Sequence, residues 1–352
     1  MRYVIIGAGA IGGTIGGLLH ESGQRVVLVA RGPHLAALRS GGLRLSTPAG
    51  TRTLPIPAVA GPEELDLGPD DVLVLAVKSQ HTAAALAAWA GRPVAGDSTA
   101  SSSTAADGTS ANTTAAAPTT AGKHLPLLCA QNGVENERLA LRWFRHVYGV
   151  SVSMPATHLE PGRVAAPGAP FSGIFQLGRY PSGSDETVRA IAADLEKCPF
   201  KAYVRQDVMR WKYGKLIGNL PNAVDALAGP FEDGPALELF QRAMAEGEAV
   251  LTAAGITFAG VAEQLELRGS LIDPAPMDGV RLGGSSSRQS LTRGGGSIET
   301  DYLNGEIALL ARQLGVPAPV NEALQQLAAD YARQGRAAGS LPAAELARLL
   351  AL

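Results

Sequence analysis

Cysteine is almost absent from this chain of 352 residues. Only Cys129 and Cys198 occur, and neither has a second cysteine at C-x-x-C spacing. A disulfide framework is therefore not expected, and a reducing cytoplasm is the predicted location. The six histidines do not fall at metal-ligand spacing and no HExxH motif is present, so no metal site is predicted.

The chain also lacks an excess of charge of either sign. Lysine plus arginine number 30 and aspartate plus glutamate 32, so the net charge is −2. Without a basic surplus, neither nucleic acid nor an anionic membrane is an expected partner. The uncharged stretch 3–19 has the length of a signal-peptide core, but glycines interrupt it and it lacks an Ala-x-Ala cleavage pattern. No other apolar run approaches the length of a membrane span.

Short apolar runs that alternate with helical patterns predict a doubly wound α/β fold. The predicted strands are 2–6, 25–30, 71–77 and 125–130, with helices predicted to about residue 22, at 34–40 and at 82–90. Continuous apolar runs are typical of parallel strands that helices cover on both faces. The alternation of strand and helix therefore predicts an N-terminal Rossmann domain with a parallel sheet.

The second half of the chain has a helical period almost throughout, most clearly at 206–227, 234–254, 298–314 and 321–334. We therefore predict a nucleotide-binding Rossmann domain over 1–205 and an all-α domain over 206–352. Residues 96–122 interrupt the first domain with a stretch rich in Ser, Thr and Ala, whose apolar bulk is too small to offset its ordering entropy. This stretch is predicted to be a flexible surface insertion, and a regulated or partner-binding loop is the alternative.

A glycine-rich motif follows the first predicted strand and opens the first helix. In the pattern GxGxxG, its residues are Gly7, Ala8, Gly9, Ala10, Ile11 and Gly12. In this setting the glycines permit a tight turn, close approach to a pyrophosphate and close helix–strand packing, and the helix N-terminus attracts the phosphates. The motif is therefore predicted to bind a dinucleotide. The alternative is a glycine-rich turn of an unrelated α/β protein.

Polar side chains stand directly after the predicted strands. Arg31 follows the second strand, where an acid would hold a ribose 2′-hydroxyl, and a guanidinium there suits the 2′-phosphate of NADP. Lys78 follows the third strand, and the fourth is followed by QNG with Asn132 at its centre; ligands of such sheets bind beyond the C-terminal ends of the strands. NADP is therefore the predicted cofactor, while surface positions for Arg31 and Lys78 remain the alternatives.

Lys215, Asn219 and Asn222 share one face of a predicted helix, since positions i, i+4 and i+7 align. A lysine and two amides would each need a partner if they were buried, whereas they suit the lining of a polar cleft. The alternative is a solvated helix face. Farther along, residues 285–305 form a predicted polar loop that enters a helix, and periodicity alone does not select Glu299 over Asp301.

The order of several motifs resembles that of the ketopantoate reductase family: GAGAIGG near the start, Lys78, QNG at 131–133, W-x-x-x-K-L-x-x-N at 211–219, S-x(11)-E-x-D-Y-L-N-G at 287–305 and GVPAPVN at 315–321. The resemblance covers nearly the whole chain apart from 96–122. It implies a Rossmann domain, a helical domain like that of 6-phosphogluconate dehydrogenase, and a 2-oxo acid bound between them. It further implies reduction of 2-dehydropantoate to (R)-pantoate with NADPH in pantothenate biosynthesis, and a homodimer.

The resemblance also implies roles for individual residues. It makes Lys215 the general acid, with Glu299 and Asn219 as the other catalytic residues. The implied substrate contacts are Ser287, at the substrate carboxylate, Asn132 and Asn222; the implied cofactor contacts are the glycine motif, Arg31, Lys78 and again Asn132. Hydride delivery to a ketone develops negative charge on oxygen, and a lysine can supply both a proton and a cation there.

The sequence departs from the family pattern on the substrate side. The family segment begins S-M-x-Q-D, whereas this chain has S-R-Q-S from Ser287; Gly284 stands where an asparagine is common, and Asn222 is displaced by one position behind Pro221. A reductase of a different 2-oxo acid or ketone is therefore an alternative. A nucleotide-binding sensor without turnover is a further alternative, although it leaves the lysine–asparagine–glutamate set unexplained.

Overall fold

A computed structural model describes residues 1–95, 119–277, 280, 284–294 and 296–350. Most of the predicted insertion, residues 96–118, lies outside these ranges. Its last residues are placed: Thr120 pairs with Pro93 in an antiparallel bridge, and a helical turn begins at Ala121. Residues 120–122, the end of the predicted flexible insertion, therefore belong to regular structure.

The N-terminal half is built on an eight-stranded sheet with a four-stranded sheet beside it. Its strands are β1 (Arg2–Ile6), β2 (Arg25–Val29), β3 (Leu43–Thr47), β4 (Gly50–Leu54), β5 (Ala58–Val59), β6 (Asp71–Leu75), β7 (Pro126–Cys129), β8 (His146–Ser153), β9 (Thr157–Glu160), β10 (Arg163–Ala165), β11 (Gly168–Pro170), β12 (Gly173–Arg179) and β13 (Phe200–Val204). The order in the large sheet is β13-β12-β8-β7-β6-β1-β2-β5, and in the small sheet β4-β3-β10-β9.

The position of β1 in the large sheet places a crevice at one edge. It pairs in parallel with β2 on one side and with β6 on the other, and β6 pairs in parallel with β7. Because the chain passes from one side of β1 to the other, the loops after these strands separate and leave a crevice at their C-terminal ends. The parallel Rossmann sheet predicted from the apolar runs is confirmed.

The helices of the N-terminal half are α1 (Ala10–Glu21), α2 (Gly32–Gly41), α3 (Thr82–Ala90), α4 (Ala121–His124), α5 (Glu135–Leu141) and α6 (Glu186–Glu196). The C-terminal half is helical, as predicted, and contains α7 (Val208–Asn219), α8 (Asn222–Ala228), α9 (Gly234–Ala253), α10 (Val261–Arg268), α11 (Ser286–Thr292), α12 (Asn304–Leu314), α13 (Pro319–Arg333) and α14 (Ala343–Leu349). Short 3-10 helices cover Pro62–Glu64, Ser79–His81 and Glu299–Tyr302, and a short strand, β14 (Ile272–Pro274), pairs with β11. Within the described ranges, no helix is long and apolar enough to cross a membrane.

The large sheet is covered on both faces, which explains its continuous apolar strands. Tyr3 and Ile5 of β1 belong to one hydrophobic cluster, whereas Val4 and Ile6 belong to another. Successive strand residues point to opposite faces, so both faces must be buried for the whole run to be apolar. Each fully buried aliphatic side chain of this kind contributes about 1.5–3 kcal/mol relative to exposure.

The long helix α9 lies at the centre of the hydrophobic core of the C-terminal half. Its buried residues include Ala236, Leu239, Ala243, Gly247 and Val250, which recur every three or four positions and so form one stripe. This stripe packs against α12, α13 and α14. The local period is sufficient to predict the helix, and its observed bounds differ from the predicted 234–254 by one residue.

Two helices that were predicted as continuous are interrupted. The helix predicted over 206–227 ends at Asn219 and resumes at Asn222, because Pro221 has no backbone N–H and its ring clashes with the preceding turn of a regular helix. The helix predicted over 298–314 begins as the 3-10 helix Glu299–Tyr302 and becomes α12 only at Asn304. Both interruptions lie at predicted site residues, Asn222 and Glu299.

The packing of α1 against the sheet depends on Gly12. A Cβ atom at Gly12 would lie 2.1 Å from the carbonyl oxygen of Gly7 and 2.9 Å from Ile5 Cγ2. At Gly9, three residues earlier, a Cβ atom would have no heavy atom within 4 Å. The two glycines of one motif therefore differ: Gly12 is required by packing, and Gly9 leaves open space.

We expect Gly12→Ala to lower the free energy of unfolding by about 3 kcal/mol, the upper end for overpacking, because the clash is with a backbone carbonyl that cannot rotate away. Gly9→Ala is the matched control, and its free energy of unfolding should change by less than about 1 kcal/mol. Urea unfolding followed by circular dichroism measures both. Equal stability of the two variants would contradict the close packing of α1.

Candidate active site

A cleft of about 530 Å³ lies between the crevice at the sheet edge and the helices of the C-terminal half. The N-terminal half contributes parts of the glycine motif, residues 76–78 after β6, residues 130–132 after β7, and several residues between 152 and 158. The C-terminal half contributes Lys215, Asn219, Asn222, Gly284, Ser286, Gln289, Arg293 and Glu299. Predicted site residues from both halves therefore share one cavity.

The glycine motif presents backbone to the cleft. Gly7 has a φ of +104°, which turns the chain sharply out of β1, and α1 begins at Ala10 without a side-chain cap. Open space surrounds the Cα of Gly9, and Gly9, Ala10 and Ile11 line the cavity. The uncapped N–H groups of the first turn and the missing Cβ suit a phosphate group. These residues therefore fit the pyrophosphate of a dinucleotide.

Three of the predicted cofactor residues do not line the cavity. Ala8 is 2% exposed and, like Gly12, lies behind the loop, where it serves packing. Arg31 is exposed directly after β2, and α2 begins at the next residue. An exposed position at this strand end is compatible with a 2′-phosphate that projects beyond the cleft.

Glu299 and Lys78 form an ion pair across the cleft. The Glu299 side chain is 6% exposed, and its Oε1 accepts hydrogen bonds from the backbone N–H of Ser79 (3.1 Å) and from the Ser79 hydroxyl (3.2 Å). A predicted cofactor residue, Lys78, and a predicted catalytic residue, Glu299, are thus in direct contact. Ser79 was not predicted, and no feature of the sequence around it distinguishes it from other serines that follow a strand.

Lys215 lines the cleft from α7 and is half-buried. Burial lowers the pKa of Lys215 below the ordinary lysine value, and the positive charge of Arg268 lowers it further. A lysine whose pKa is lowered gives up its proton more readily near neutral pH. The cleft therefore contains a lysine whose chemistry suits donation of a proton.

Asn219 and Asn222 line the cleft beside Lys215 despite the break between α7 and α8. Asn222 Nδ2 donates to Asn219 Oδ1 over 3.5 Å. Asn219 is 6% exposed, and its own Nδ2 has no hydrogen-bond partner in the described part of the chain. Buried amide donors almost always have partners, so this one is available to an oxygen atom of a ligand.

Asn132 lies at the tip of β7, in a loop that is held by its neighbours. Its carbonyl oxygen accepts from Asn136 Nδ2 at 2.9 Å, and the preceding residue, Gln131, donates from Nε2 to Thr82 Oγ1 and to the Val77 carbonyl, both at 2.8 Å. These bonds fix the backbone and leave the Asn132 side chain to line the cleft. Asn132 therefore lies beyond the C-terminal end of β7 and lines the cleft, as its position in the sequence predicts.

Among the described residues that line the cleft, the serine is Ser286, whereas the predicted residue is Ser287. Ser287 is 3% exposed and does not line the cavity. Consecutive residues of α11 point about 100° apart, and the orientation that turns Ser286 toward the cleft leaves Ser287 buried. Their rotation is set by the start of the helix, where the Ser285 hydroxyl accepts from the Arg288 N–H at 3.2 Å.

Arg293 and His158 also line the cleft and were not predicted. Partial burial lowers the pKa of Arg293, and the negative charge of Glu299 opposes that shift. Burial and the neighbouring His34 lower the pKa of His158 to about 4, so this histidine is neutral at pH 7. Neither residue belongs to a recognisable motif, since both reach the cleft through long-range packing.

The charged residues of the lining favour anions. Among the described lining residues, and leaving the histidines aside, three are cationic (Lys78, Lys215, Arg293) and one is anionic (Glu299), an excess of two positive charges. A cleft of one sign raises the local concentration of ligands of the opposite sign. Phosphate and carboxylate groups are therefore the expected ligand groups.

Comparison with known sequences identifies the family. The model of "Ketopantoate reductase PanE/ApbA" matches residues 3–100, and that of "Ketopantoate reductase PanE/ApbA C terminal" matches residues 207–332. A 2-dehydropantoate 2-reductase from Mesorhizobium japonicum is 30% identical over 337 residues, which is 93% of this chain and 96% of the relative. The match thus extends over both halves of the molecule.

Solved structures share the fold. A PanE/ApbA family ketopantoate reductase from Ralstonia eutropha has a TM-score of 0.72 at 24% identity and covers 96% of this chain and 100% of its own. A D-mandelate dehydrogenase, solved with NADH and anilino(oxo)acetate, has a TM-score of 0.75 at 20% identity with the same coverage. The sequence matches, together with this shared architecture, show that the chain belongs to the ketopantoate reductase family of dinucleotide-binding oxidoreductases.

Proposed function

We propose that the chain reduces 2-dehydropantoate to (R)-pantoate in pantothenate biosynthesis, with NADPH as the hydride donor. The relative from Mesorhizobium japonicum is named 2-dehydropantoate 2-reductase, which supports 2-dehydropantoate as the substrate. The observation that carries the proposal is that Lys215, a lysine with a lowered pKa, lines the same cleft as the glycine motif and Glu299. A dinucleotide site, a proton donor and a group that can orient a substrate are thus combined in one cavity.

Several residues fit the cofactor. Gly9, Ala10 and Ile11 would hold the pyrophosphate at the N-terminus of α1, and Arg31 would bind the 2′-phosphate through charge-assisted hydrogen bonds. When bound, the nicotinamide supplies the hydride that reaches the carbonyl carbon. Asn132, which lines the cleft after β7, would orient the reacting groups.

Reduction of a ketone requires a proton on the carbonyl oxygen while the carbon gains the hydride. Lys215 would donate that proton from Nζ, so that the oxygen becomes a hydroxyl and the lysine becomes neutral. The unpartnered amide of Asn219 would donate a hydrogen bond to the same oxygen as its negative charge develops. Glu299 would accept a hydrogen bond from a substrate hydroxyl and so fix its orientation.

The substrate carboxylate fits the side of the cleft that α11 forms. Ser286 supplies a hydroxyl there, and Arg293 supplies a positive charge. We therefore propose that Ser286, with Arg293, takes the carboxylate-binding role that the family resemblance places on Ser287. An arginine offers two parallel donors to a carboxylate, which adds orientation to attraction.

The same side of the cleft supports a second candidate function, the reduction of a different 2-oxo acid. Gly284, Ser286 and Gln289 line this side, where the sequence departs from the family pattern. A pocket that gains or loses polar groups changes which substrate it accepts while hydride and proton transfer stay the same. The glycine motif, Lys215 and Glu299 would then keep the roles proposed above.

The proposal also covers domain boundary, location and assembly. We place the boundary at Arg205, in the turn between β13 and α7.

Cys129 and Cys198 are buried and unpaired, which suits the reducing cytoplasm proposed as the location. The proposed assembly is a homodimer, which sedimentation equilibrium tests directly.

The substrate is tested by NADPH oxidation with 2-dehydropantoate and a panel of other 2-oxo acids, with NADH in parallel. We expect kcat/KM for 2-dehydropantoate to exceed that of every other acid by at least about tenfold, since the cleft must distinguish its hydroxyl-bearing chain. A higher kcat/KM for another acid would favour the second candidate. No reduction of any acid, with tight NADPH binding, would contradict both.

Lys215→Ala should lower kcat by about 10²–10⁴-fold, the usual contribution of a general acid. Lys123→Ala, which removes an exposed lysine outside the cleft, is the control and should leave kcat unchanged. In the wild type, kcat/KM, which reports the enzyme before substrate binds, should fall as pH rises, because only protonated Lys215 donates. Since burial lowers the pKa of Lys215, the fall should begin below the ordinary lysine value. A wild-type kcat in Lys215→Ala would exclude this role.

Arg31→Ala should raise the KM for NADPH about tenfold or more, the effect of losing hydrogen bonds to a charged group. The KM for NADH, which has no 2′-phosphate, should stay within about twofold of the wild-type value. Arg25→Ala, at the opposite end of β2, is the matched control and should change neither constant. An equal change for both cofactors would show that Arg31 does not read the 2′-phosphate.

A further inference from the structure

A buried ion pair joins the two halves of the chain behind the cleft. Lys212 lies on α7 and Glu137 on α5; their side chains are 2% and 0% exposed, and Lys212 Nζ lies 2.5 Å from Glu137 Oε1. The ammonium also donates to the carbonyl oxygens of Gln131 (2.9 Å) and Val150 (3.4 Å). Lys212 therefore has one ionic partner and two hydrogen-bond acceptors, all in the N-terminal half.

Stability alone does not account for a charge pair in this position. Two charges that leave water lose hydration that their attraction only partly restores, and apolar side chains of similar volume often replace such pairs without loss. The desolvation is visible at Glu137, where burial raises the pKa and the charge of Lys212 opposes the rise. The Lys212–Glu137 pair is therefore better explained by the positions in which it holds neighbouring groups than by its contribution to stability.

Lys212 contacts the backbone that precedes Asn132. The Gln131 carbonyl and the Asn132 N–H belong to one planar peptide unit, so a bond to the carbonyl sets the plane from which the Asn132 side chain reaches the cleft. Lys212 also lies three residues before Lys215, on nearly the same face of α7. One side chain thus ties the Asn132 loop to the helix that carries the proposed proton donor.

We propose that Lys212 is a positioning residue for the reduction. Through its bond to the Gln131 carbonyl, Lys212 holds Asn132 and Lys215 at the separation that transfer of hydride and proton requires, and Glu137 balances the buried charge of Lys212. The kinetic consequence rests on the proposed function, whereas the ordering of the Asn132 loop does not depend on the substrate. Lys212 does not line the cleft, so it acts through Asn132 and Lys215.

The test is the double variant Lys212→Met with Glu137→Leu, which removes both charges and keeps similar volumes. Its melting temperature should stay within about 4 °C of the wild type, while kcat should fall about 10²-fold, as expected for misplaced reacting groups. The dissociation constant for NADPH should stay within about twofold. Amide hydrogen exchange of residues 129–134 should become faster, and the primary isotope effect with 4-deuterated NADPH should increase as hydride transfer becomes rate-limiting.

Two further variants separate positioning from a general effect on α7. The double variant Arg210→Met with Glu263→Leu removes another ion pair of α7, and this pair does not contact Gln131. It should leave kcat and the amide exchange of residues 129–134 unchanged. Glu137→Gln keeps the bond from Lys212 to the Gln131 carbonyl, so it should lower the melting temperature and leave kcat within about twofold of the wild type.

A wild-type kcat in the double variant, unchanged exchange at 129–134, or loss of folding would each overturn the inference, the last because the pair would then serve the fold itself. An equal fall in kcat for Glu137→Gln would also overturn it. If the wild type reduces no 2-oxo acid, the proposed function fails, and the exchange rates of the double variant alone decide whether Lys212 orders the loop.

Discussion

The carboxylate of Glu299 is the point at which the two halves of the molecule meet in the cleft. It belongs to a 3-10 helix of the C-terminal half, yet its hydrogen-bond partners in the described structure, Lys78 and the N–H and hydroxyl of Ser79, lie directly after β6. A buried carboxylate without such partners would be strongly disfavoured. Together with the Lys212–Glu137 pair, this contact holds the helical half over the sheet edge, and the shape of the cleft depends on that position.

The contact at Glu299 also extends to the loop that carries Asn132. The Ser79 hydroxyl lies 3.5 Å from the Asn132 carbonyl oxygen and accepts from Asn136 Nδ2 at 3.3 Å, while Asn136 Oδ1 accepts from Thr82 at 2.7 Å. A polar network whose members satisfy one another is rigid, and each bond strengthens its neighbours. Glu299 and Asn132, which both line the cleft, are consequently positioned together, and we expect a change at one to affect the other.

The sequence is sufficient to predict the parts of this arrangement that depend on neighbours along the chain. β1 and α3 have the predicted bounds, and the glycine motif, Lys78 and Asn132 lie at the ends of strands as expected. The choice of Ser286 over Ser287 could not be predicted, because the rotation of α11 is set by its capping and packing and not by its composition. The approach of Lys212 to the Gln131 carbonyl could not be predicted either, since it depends on how α7 packs on distant strands.

Under the proposed function, the charges of the cleft couple substrate binding to the protonation of Lys215. Burial and the positive charge of Arg268 lower the pKa of Lys215, which favours release of its proton but also reduces the protonated fraction at a given pH. A 2-oxo acid brings a negative charge into this cavity, and a nearby negative charge favours the protonated lysine. The anionic substrate would therefore raise the protonated fraction of Lys215 in the complex from which the proton is donated. An uncharged ketone of similar size would lack this effect and would react more slowly even where it binds equally well.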